Sequence, residues 1–295
     1  MANCLVTGHK GYIGSKLYAQ LEELGHNVHG IDIASNDISE KLDIRWHLFD
    51  HDKKFDHIKF KPEYIFHLAA KPSVQWSVEN PSDSLTHNVL GSSRVLEYAS
   101  LVGAKRVIFA SSAAAAEPSS PYGTHKKMTE LECKGYSSLY NVDTVSLRFF
   151  NVYSEDQKYG GVYSTAIAAW FEMIKQNKPL RFDGDGSQTR DFIHVDDVVN
   201  CLIHCMEYRT DFDGSVHDVG TGESHSLAEV RTFISNVFDV IWEDTPPRKG
   251  DVKHSAADIT TLSGKGWTSS INLKSGLQRC IANVIKIKKG ELNDY

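Results

Sequence analysis

Apolar and polar residues alternate along the first half of the chain in a pattern that predicts strands and helices in turn. Two stretches, Ser15–Leu24 and Ser84–Leu101, repeat their apolar residues with the period of an amphipathic helix. Around them lie short apolar runs of the kind found in strands that are buried on both faces of a parallel sheet. These runs are Asn3–Thr7, Tyr64–Ala70, Arg106–Ser112 and Val142–Phe150. The alternation predicts an α/β fold with a doubly wound parallel sheet of the Rossmann type.

A glycine turn separates the first predicted strand from the first predicted helix. It reads Gly8-His-Lys-Gly11-Tyr-Ile-Gly14. Glycines allow a tight turn and a close backbone approach, and the helix N-terminus that follows favours a pyrophosphate. A second strand, Asn27–Ile33, contains Asp32, 18 residues after Gly14. A carboxylate there accepts from ribose hydroxyls and repels the extra phosphate of NADP, so the pattern predicts NAD. The alternative is a glycine-rich turn beside a surface aspartate.

A serine, a tyrosine and a lysine follow the strand Arg106–Ser112. Ser112 stands at the C-terminal end of that strand, where ligands of doubly wound sheets bind. Pro121 marks a helix start, Tyr122 comes ten residues after Ser112, and Lys126 lies one helical turn further on. A nearby cation lowers the pKa of a tyrosine from its usual value of about 10. The three residues together predict a tyrosine base with a serine that holds a substrate oxygen, although the Tyr/Lys spacing alone is common.

Composition narrows the class of protein. The net charge of -6 over 295 residues argues against a nucleic-acid partner, and no apolar stretch reaches the length of a membrane span. The first residues enter a strand without a signal peptide, and five cysteines lack framework spacing, so we expect reduced thiols in the cytoplasm. Cys201, His204 and Cys205 have a spacing that zinc could use. Their apolar surroundings favour a buried helix instead, and no metal is expected.

The order of the motifs resembles one family over nearly the whole chain. The chain resembles the extended short-chain dehydrogenase/reductases of the NAD-dependent epimerase/dehydratase type, and most of all the nucleotide-sugar epimerases that act on UDP-glucose or UDP-N-acetylglucosamine. The segments that carry the resemblance are the glycine turn, His67-Leu-Ala-Ala70, Ser111-Ser112, Tyr122-x-x-x-Lys126, Arg148-Phe-Phe-Asn151, Arg190-Asp-Phe-Ile-His-Val195 and Pro247-Arg-Lys-Gly-Asp251.

This resemblance implies a role for each matching position. Ser112, Tyr122 and Lys126 would be catalytic. The expected NAD-binding residues, with Asp43 as a competitor for the place of Asp50, are Gly8, Gly11, Tyr12, Ile13, Gly14, Asp32, Ile33, Asp50, Leu68, Ala69, Ala70, Asn88, Ser111, Tyr122 and Lys126. The expected nucleotide-sugar residues are Ser112, Asn151, Arg181, Arg190, Arg248, Asp251 and Ser255. An arginine can bind a diphosphate bidentately, although a surface arginine is the ordinary alternative.

The implied reaction is 4-epimerisation of a nucleotide sugar through a transient 4-keto sugar with tightly bound NAD. Ser255, seven residues after Arg248, stands where a small residue admits an N-acetyl group. The resemblance therefore implies UDP-GlcNAc/UDP-GalNAc, with UDP-Glc/UDP-Gal as a further pair. Alternatives are a dehydratase or 4-keto-sugar reductase and a non-catalytic NAD-binding regulator. Ala113 and Ala114 stand where dehydratases carry catalytic acids, and the triad argues against a regulator.

The domain organisation is expected to be interleaved. Residues 1–151, with 192–213 returning to the main sheet, would form the NAD-binding domain. Residues 152–191 and 214–295 would form a smaller mixed α/β lobe for the nucleotide sugar. Asp191, Asp196 and Asp197 precede a helix that is predicted to begin near Val198, so helix capping is their expected role. The family resemblance also implies a homodimer.

Overall fold

The computed structural model describes residues 1–34, 60–157, 165–247 and 253–291 of the chain. These residues fall into two compact units. The first unit contains Met1–Phe149 and Val199–His217, and the second contains Phe150–Val198 and Asp218–Tyr295. Four predicted site positions lie outside the described residues: Asp43, Asp50, Arg248 and Asp251.

The strands of the described residues are short. In chain order they are β1 (Asn3–Thr7), β2 (Asn27–Ile31), β3 (Tyr64–His67), β4 (Arg106–Ser112), β5 (Asp143–Phe149), β6 (Asn151–Tyr153), β7 (Leu180–Asp183), β8 (Thr189–Arg190), β9 (Phe192–His194), β10 (Ser215–Val219), β11 (His225–Ser226) and β12 (Trp242–Thr245).

The helices of the same residues include two that are a single turn or little more. In chain order they are α1 (Tyr12–Glu23), α2 (Val74–Glu79), α3 (Pro81–Leu85), α4 (Gly91–Val102), α5 (Pro121–Leu139), α6 (Ala166–Lys175), α7 (Val195–Glu207), α8 (Leu227–Ser235), α9 (Thr260–Ser263) and α10 (Leu273–Lys288).

A six-stranded sheet forms the centre of the first unit, in the order β10-β5-β4-β3-β1-β2. Strands β2, β1, β3, β4 and β5 run parallel to their neighbours. The register brings Leu5 beside Ile65 and Ile65 beside Val107, and all three side chains are buried. Apolar side chains at these central positions are removed from water on both faces, which stabilises a parallel sheet. The predicted doubly wound Rossmann-type fold is confirmed.

The long helix predicted from Ser84 to Leu101 is interrupted. Between α3 and α4 the backbone forms a π-helical turn, Thr86–Leu90. Inside it, the Asn88 side chain accepts from the Lys71 N–H at 2.8 Å and donates to the Lys71 carbonyl at 3.2 Å. Single π-turns inside α-helices are rare and frequently lie at functional sites. Here the turn ties the helix to the loop that follows β3.

The second unit contains three small two-stranded sheets, β6–β9, β7–β12 and β8–β11. Its core includes Tyr153, Trp170, Phe182 and Leu277, which pack among the helices α6, α8 and α10. Of the residues 192–213 expected to return to the main sheet, those from Val199 belong to the first unit, but the strand β9 does not join the main sheet. Strand β9 pairs with β6. The sequence does not predict this pairing, because a strand of three residues carries no local signal for its partner. Strand β10 instead forms the edge of the main sheet beside β5.

Arg106, at the start of β4, holds the C-terminal end of α7 within the first unit. Its guanidinium donates to the carbonyls of Cys205, Tyr208 and Thr210 at 2.6, 2.9 and 3.0 Å. It also pairs with the buried carboxylate of Asp143. A cation satisfies the last carbonyls of a helix and its dipole, and the buried aspartate balances the charge.

We predict that Arg106→Ala lowers the free energy of unfolding by about 3–5 kcal/mol, because it leaves a buried carboxylate and several carbonyls without a partner. Chemical denaturation measures the change. Lys105→Ala is the matched control, since Lys105 is the neighbouring residue and pairs with Glu63 at the surface. It should leave the midpoint nearly unchanged. Equal losses in the two variants would contradict the account of Arg106.

Candidate active site

The glycine turn after β1 is built on close backbone packing. Gly8 has φ of +76°, and a Cβ there would lie 2.8 Å from the backbone nitrogen of Ala69. A Cβ on Gly14 would lie 2.1 Å from the Gly8 carbonyl oxygen. Gly11 is the N-cap of α1, with no side-chain cap hydrogen bond, and its N–H donates to the Gly8 carbonyl at 2.9 Å. Only glycine fits at these close approaches.

The carboxylate of Asp32 joins the end of β2 to this turn. It accepts from the Lys10 N–H at 3.0 Å and from the Ala34 N–H at 2.9 Å, and the residue is 8% exposed. A carboxylate has about four acceptor positions, so these bonds leave capacity for hydroxyl donors of a ligand. Ile33, the next residue, is exposed.

The loop after β3 is fixed by a chain of buried hydrogen bonds around His67. Its Nδ1 lies 2.7 Å from Thr7 Oγ1, and its Nε2 lies 2.8 Å from Ser92 Oγ. Since Ser92 Oγ donates to the Asn88 carbonyl, it accepts from His67 Nε2–H, and Nδ1 accepts from Thr7. Burial, together with the charge of Lys126, lowers the pKa of His67 to about 3, so the ring is neutral.

Thr7 extends this network to the residues that face the glycine turn. Its Oγ1 accepts from the Ala69 N–H at 3.2 Å, and its carbonyl accepts from the Leu68 N–H at 3.2 Å. Leu68, Ala69 and Ala70 therefore follow a fixed path beside Gly8. Asn88 supports the same loop through Lys71 and does so with its whole amide group.

The C-terminal end of β4 is locked to helix α5 by buried charged side chains. Lys126 Nζ donates to the Ala110 carbonyl at 2.7 Å and lies 5.9 Å from the centre of the Tyr122 ring. Both residues are buried, Lys126 at 2% and Tyr122 at 7% exposed. Burial lowers the pKa of Lys126 to about 7, and Cys133 and Glu130 act in the opposite direction.

Glu130 stands one helical turn after Lys126 and is almost fully buried. It accepts two hydrogen bonds from Arg148 of β5, at 2.7 and 2.8 Å. It also accepts from Ser111 Oγ at 2.7 Å. The hydroxyl of Ser111, which is a predicted NAD-binding position, is thus directed to Glu130.

The short connection between Ser112 and Tyr122 is closed by two serine caps. Ser112 Oγ accepts from the Ala114 N–H at 3.3 Å at the start of a 3₁₀ turn, Ala113–Ala115. Ser120 Oγ accepts from the Gly123 N–H at 3.2 Å at the start of α5, with Pro121 in the first turn. A Cβ on Gly123 would lie 2.4 Å from the Ala114 carbonyl oxygen. The missing side chain lets the 3₁₀ turn lie directly on the helix, and the predicted helix start is confirmed.

The remaining predicted residues belong to the second unit. Asn151 donates through its backbone N–H and its Nδ2 to the Asp191 carbonyl, at 3.0 and 3.1 Å. Arg190 donates to the Thr189 carbonyl at 2.8 Å. Arg181 is exposed and pairs with Asp183 at 2.7 Å, while the carbonyl of Arg181 accepts from Trp170 Nε1 at 2.8 Å.

The role of Asp191 in the structure differs from the role that the sequence predicts. Helix α7 begins at Val195, so Asp196 and Asp197 lie inside its first turn, where acids suit the dipole, and not before the helix as predicted. The Asp197 carboxylate is directed to Ser270 and Ile271. The expected capping role of Asp191 is wrong. Its buried carboxylate accepts from Thr221, Gly222 and Ala257, which are 30, 31 and 66 residues away. Local sequence patterns carry no signal for such partners.

The five cysteines are free and buried, at Cys4, Cys133, Cys201, Cys205 and Cys280. Cys201, His204 and Cys205 lie in helix α7. Within the ranges that the structure describes, no group of three or more metal-ligating side chains comes together. None of the helices in those ranges is long and apolar enough to cross a membrane.

The turn and its neighbours fit a dinucleotide. Side chains are excluded from the turn by Gly8 and Gly14, α1 starts there without a side-chain cap, and Asp32 keeps acceptor capacity beside it. A Ser/Tyr/Lys set stands at the end of β4 in the same sheet. The fold and these residues define an NAD-dependent α/β enzyme.

Comparison with known proteins identifies the family. Residues 4–220 match the model of the NAD-dependent epimerase/dehydratase family. The UDP-glucose 4-epimerase of Mycolicibacterium smegmatis is 32% identical over 309 residues, which cover 94% of this chain and 96% of the relative. The chain belongs to the NAD-dependent epimerase/dehydratase family, as its motifs predicted, and NAD is its cofactor.

Solved structures of similar proteins agree with this family assignment. The UDP-glucose 4-epimerase of Thermotoga maritima with UDP-glucose superposes with a TM-score of 0.84 at 29% identity, covering 98% of this chain and 100% of that one. The UDP-N-acetylglucosamine 4-epimerase of Methanobrevibacter ruminantium, in complex with UDP-N-acetylmuramic acid, gives 0.83 at 28% identity and 99% of both chains.

Two further relatives show how widely the reaction varies around this fold. A probable UDP-glucuronate 4-epimerase of Rhizobium meliloti is 26% identical, covering 94% of this chain and 95% of the relative. A UDP-N-acetyl-alpha-D-glucosaminuronate decarboxylase of Bacillus cytotoxicus is 28% identical, covering 84% and 89%. Family membership therefore establishes an NAD-dependent nucleotide-sugar enzyme of the epimerase type and leaves the sugar open.

We predict that Gly8→Ala weakens NAD binding by roughly tenfold or more, because its Cβ collides with the backbone of Ala69. The NAD content of the purified protein measures the loss. Gly25→Ala is the matched control: Gly25 has nearly the same φ, +79°, but nothing lies within 4 Å of its Cβ position. Both variants carry backbone strain, and only Gly8→Ala should lose NAD. Equal NAD content in the two would contradict this account of the turn.

Proposed function

We propose that this protein is a UDP-sugar 4-epimerase that interconverts UDP-GlcNAc with UDP-GalNAc, and UDP-glucose with UDP-galactose. The observation that supports it most is the buried Tyr122 and Lys126 of α5, held at the end of β4 beside Ser112 in the sheet that carries the glycine turn. This is the arrangement that oxidation of an alcohol requires, with a base for the proton and a place for a hydride acceptor.

The residues proposed to hold NAD all belong to the first unit or to the stretch between β2 and β3. Gly8, Gly11, Tyr12, Ile13 and Gly14 would receive the pyrophosphate at the start of α1. The ribose and adenine positions are assigned to Asp32, Ile33 and Asp50, and the nicotinamide end to Leu68, Ala69, Ala70, Asn88, Ser111, Tyr122 and Lys126. When bound, NAD supplies a reversible hydride acceptor for C4 of the sugar.

Tyr122 is proposed to take the proton from the sugar 4-hydroxyl at its phenolic oxygen and to return it after the 4-keto sugar has turned over. Lys126 favours the phenolate when it is protonated, and its burial lowers its own pKa to about 7. Ser112 would hold the same sugar oxygen by a hydrogen bond. Because the hydride returns to the substrate, no reduced cofactor is released.

The nucleotide end is assigned to residues of the second unit and to two positions outside the described residues. Arg190 and Arg248 would bind the diphosphate, which a planar guanidinium can bind bidentately. Asn151 and Asp251 would contact the nucleotide, and Arg181 stands in the strand proposed to border the base.

A dehydratase is the weaker alternative. Elimination of water needs an acid near the leaving hydroxyl. The positions after Ser112 are the alanines of the 3₁₀ turn, and Glu117, the next acid along the chain, is exposed. Loss of water, or release of free NADH in the case of a reductase, would separate these reactions from epimerisation.

The choice of sugar is assigned to Ser255. It is half-buried, and its carbonyl accepts from Ser224 Oγ at 3.0 Å. A small side chain leaves room for an N-acetyl group at the sugar 2-position, whereas a tyrosine would fill that room. The proposal therefore extends the substrate range from UDP-glucose to UDP-GlcNAc.

A cytoplasmic location is proposed from the five cysteines, which lack framework spacing. A homodimer is also proposed, on the family resemblance, with the helical stretch Ser84–Leu101 and helix α5 in the interface. The apolar residues of this region divide clearly. Val89 and Leu96 are buried inside the unit, whereas Leu85, Met128 and Leu131 are 36%, 40% and 62% exposed. The exposed three supply an apolar surface of the kind that a two-fold interface covers.

We predict that Tyr122→Phe lowers kcat for UDP-GlcNAc by about 100-fold or more, because it removes the base and not the binding surface. Steady-state assays measure kcat, and the NAD content should stay at the wild-type level. Tyr136→Phe makes the same chemical change further along α5 and should leave kcat unchanged. Turnover of Tyr122→Phe at the wild-type rate would refute the proposed base.

We predict that Ser255→Tyr lowers kcat/KM for UDP-GlcNAc by about 100-fold while UDP-glucose is turned over nearly as before, because the larger side chain fills one pocket only. Ser255→Ala keeps the small volume and should accept both sugars. If Ser255→Tyr reduced kcat/KM for both sugars equally, Ser255 would not govern the choice of sugar.

A further inference from the structure

We propose that Asp191 is a positioning residue for the sugar site, because it fixes the segment 253–257, called here the Ser255 segment, to the turn at Thr221–Gly222. The proposal rests on the function assigned above, in which Ser255 selects the sugar. All the residues involved belong to the second unit.

The carboxylate of Asp191 is used completely. One oxygen accepts from the N–H and the hydroxyl of Thr221, both at 2.8 Å. The other accepts from the Gly222 N–H at 2.9 Å and the Ala257 N–H at 3.1 Å. Four donors meet the roughly four acceptor positions of a carboxylate, and the residue has no exposed surface. The group is therefore engaged in holding two chain segments together.

The backbone carbonyl of Asp191 holds a third element of the candidate site. It accepts from the backbone N–H of Asn151 and from the Asn151 side chain. The residue immediately before it is Arg190, which is assigned to the diphosphate. A single residue thus connects the proposed nucleotide contacts with the Ser255 segment.

The Ser255 segment is also attached to Thr189 and Ser224, and one of these contacts joins Thr189 Oγ1 and His254 Nδ1 at 3.2 Å. The Lys253 carbonyl accepts from the Thr189 N–H at 2.9 Å. The Ser255 carbonyl accepts from Ser224 Oγ at 3.0 Å. Asp191 supplies the attachment on the far side of Ser255, at Ala257. Without it, the segment beyond Ser255 would keep its side-chain contacts and lose its charged anchor.

The packing around this contact leaves no room for adjustment. A Cβ on Gly220 would lie 2.5 Å from Ala257 Cβ and 2.6 Å from Asp191 Oδ2. The chain just before the Thr221–Gly222 turn therefore approaches Asp191 and Ala257 too closely for a side chain at position 220. This close packing restricts Ala257, two residues after Ser255, and a steric choice between two sugars depends on such restricted positions.

A second buried aspartate gives the matched comparison. Asp197 accepts from the Ser270 N–H, the Ser270 hydroxyl and the Ile271 N–H, at 3.0, 2.7 and 2.9 Å. It is 2% exposed and belongs to the same unit. Neither Ser270 nor Ile271 is a predicted site residue. Asp191→Asn and Asp197→Asn therefore remove similar hydrogen bonds, and only the first acts on the Ser255 segment.

The test combines each aspartate substitution with Ser255→Tyr in the full-length protein. KM and kcat for UDP-GlcNAc and UDP-glucose are measured for the single and double variants, with the melting temperature and NAD content as controls for folding. Asp191→Asn alone should raise KM for both sugars about tenfold with little change in kcat, as expected for a lost charged hydrogen-bond network. Asp197→Asn should lower the melting temperature and leave KM unchanged.

The double variant D191N/S255Y tests whether Asp191 holds the Ser255 segment in position. A loosened segment lets the introduced aromatic ring move aside, so D191N/S255Y should recover at least about fivefold in kcat/KM for UDP-GlcNAc over S255Y, whereas D197N/S255Y should recover nothing. If S255Y itself excluded no sugar, the proposed selection by Ser255 would fail. The positioning role would then stand only if D191N raised KM and D197N did not.

Equal kinetic effects of D191N and D197N would overturn the proposal, since Asp191 would then be merely structural. Should D191N fail to fold, Thr221→Val provides the milder change. It removes one of the four donors and keeps the shape of the side chain. It should raise KM in the same direction by a smaller factor, and an unchanged KM would count against the proposal.

Discussion

The first unit depends on how helix α5 is fastened to the end of strand β4. Lys126 Nζ reaches the Ala110 carbonyl, and Glu130 receives both the Ser111 hydroxyl and the Arg148 guanidinium. Charged groups are rarely buried unless they are paired, because desolvation costs more than an isolated charge can recover. Here the Lys126 amine and the Glu130 carboxylate, which is paired with Arg148, are buried together, and their contacts fix the register between strand β4 and helix α5. Ser112 is the residue after Ser111 on the strand, and Tyr122 lies one turn before Lys126 on the helix. Their positions therefore follow from that register.

The same fastening explains why Lys126 is unusual. Its burial lowers its pKa to about 7, which a structural lysine would avoid by reaching solvent. Glu130 limits the shift from one helical turn away. A buried lysine beside a buried tyrosine is costly for stability, because burial disfavours its charged form. We regard this cost as part of the proposed function.

The sequence predicts what depends on local pattern. The parallel strands, the glycine turn, the start of α5 at Pro121 and the NAD-dependent family all follow from runs of a few residues. It does not predict contacts between distant parts of the chain. Asp191 stands four residues before a helix and reads as a cap, yet its carboxylate binds donors at Thr221, Gly222 and Ala257. The interruption of the helix at Asn88 has the same origin, since the side chain turns toward Lys71, 17 residues away.

The short connection between Ser112 and Tyr122 could be predicted in part from the sequence. Its length is visible in the sequence, and Ser112, Ser120 and Pro121 are each recognisable as cap or helix-start residues. What closes it is the absence of a side chain at Gly123, against which the Ala114 carbonyl packs. The positions directly after Ser112 are alanines, and Glu117, which follows them in the connection, is exposed. The residues that make the connection short therefore also keep acidic groups away from the positions directly after Ser112.

The central claim is that Tyr122, Lys126 and Ser112 support a transient oxidation at C4 of a UDP-sugar, with the hydride retained. It is tested most directly by incubating the purified protein with UDP-GlcNAc that carries deuterium at C4. The account predicts that the UDP-GalNAc formed keeps its deuterium at C4 and that no free NADH accumulates. Loss of the deuterium to solvent, or release of NADH with an oxidised sugar, would contradict it.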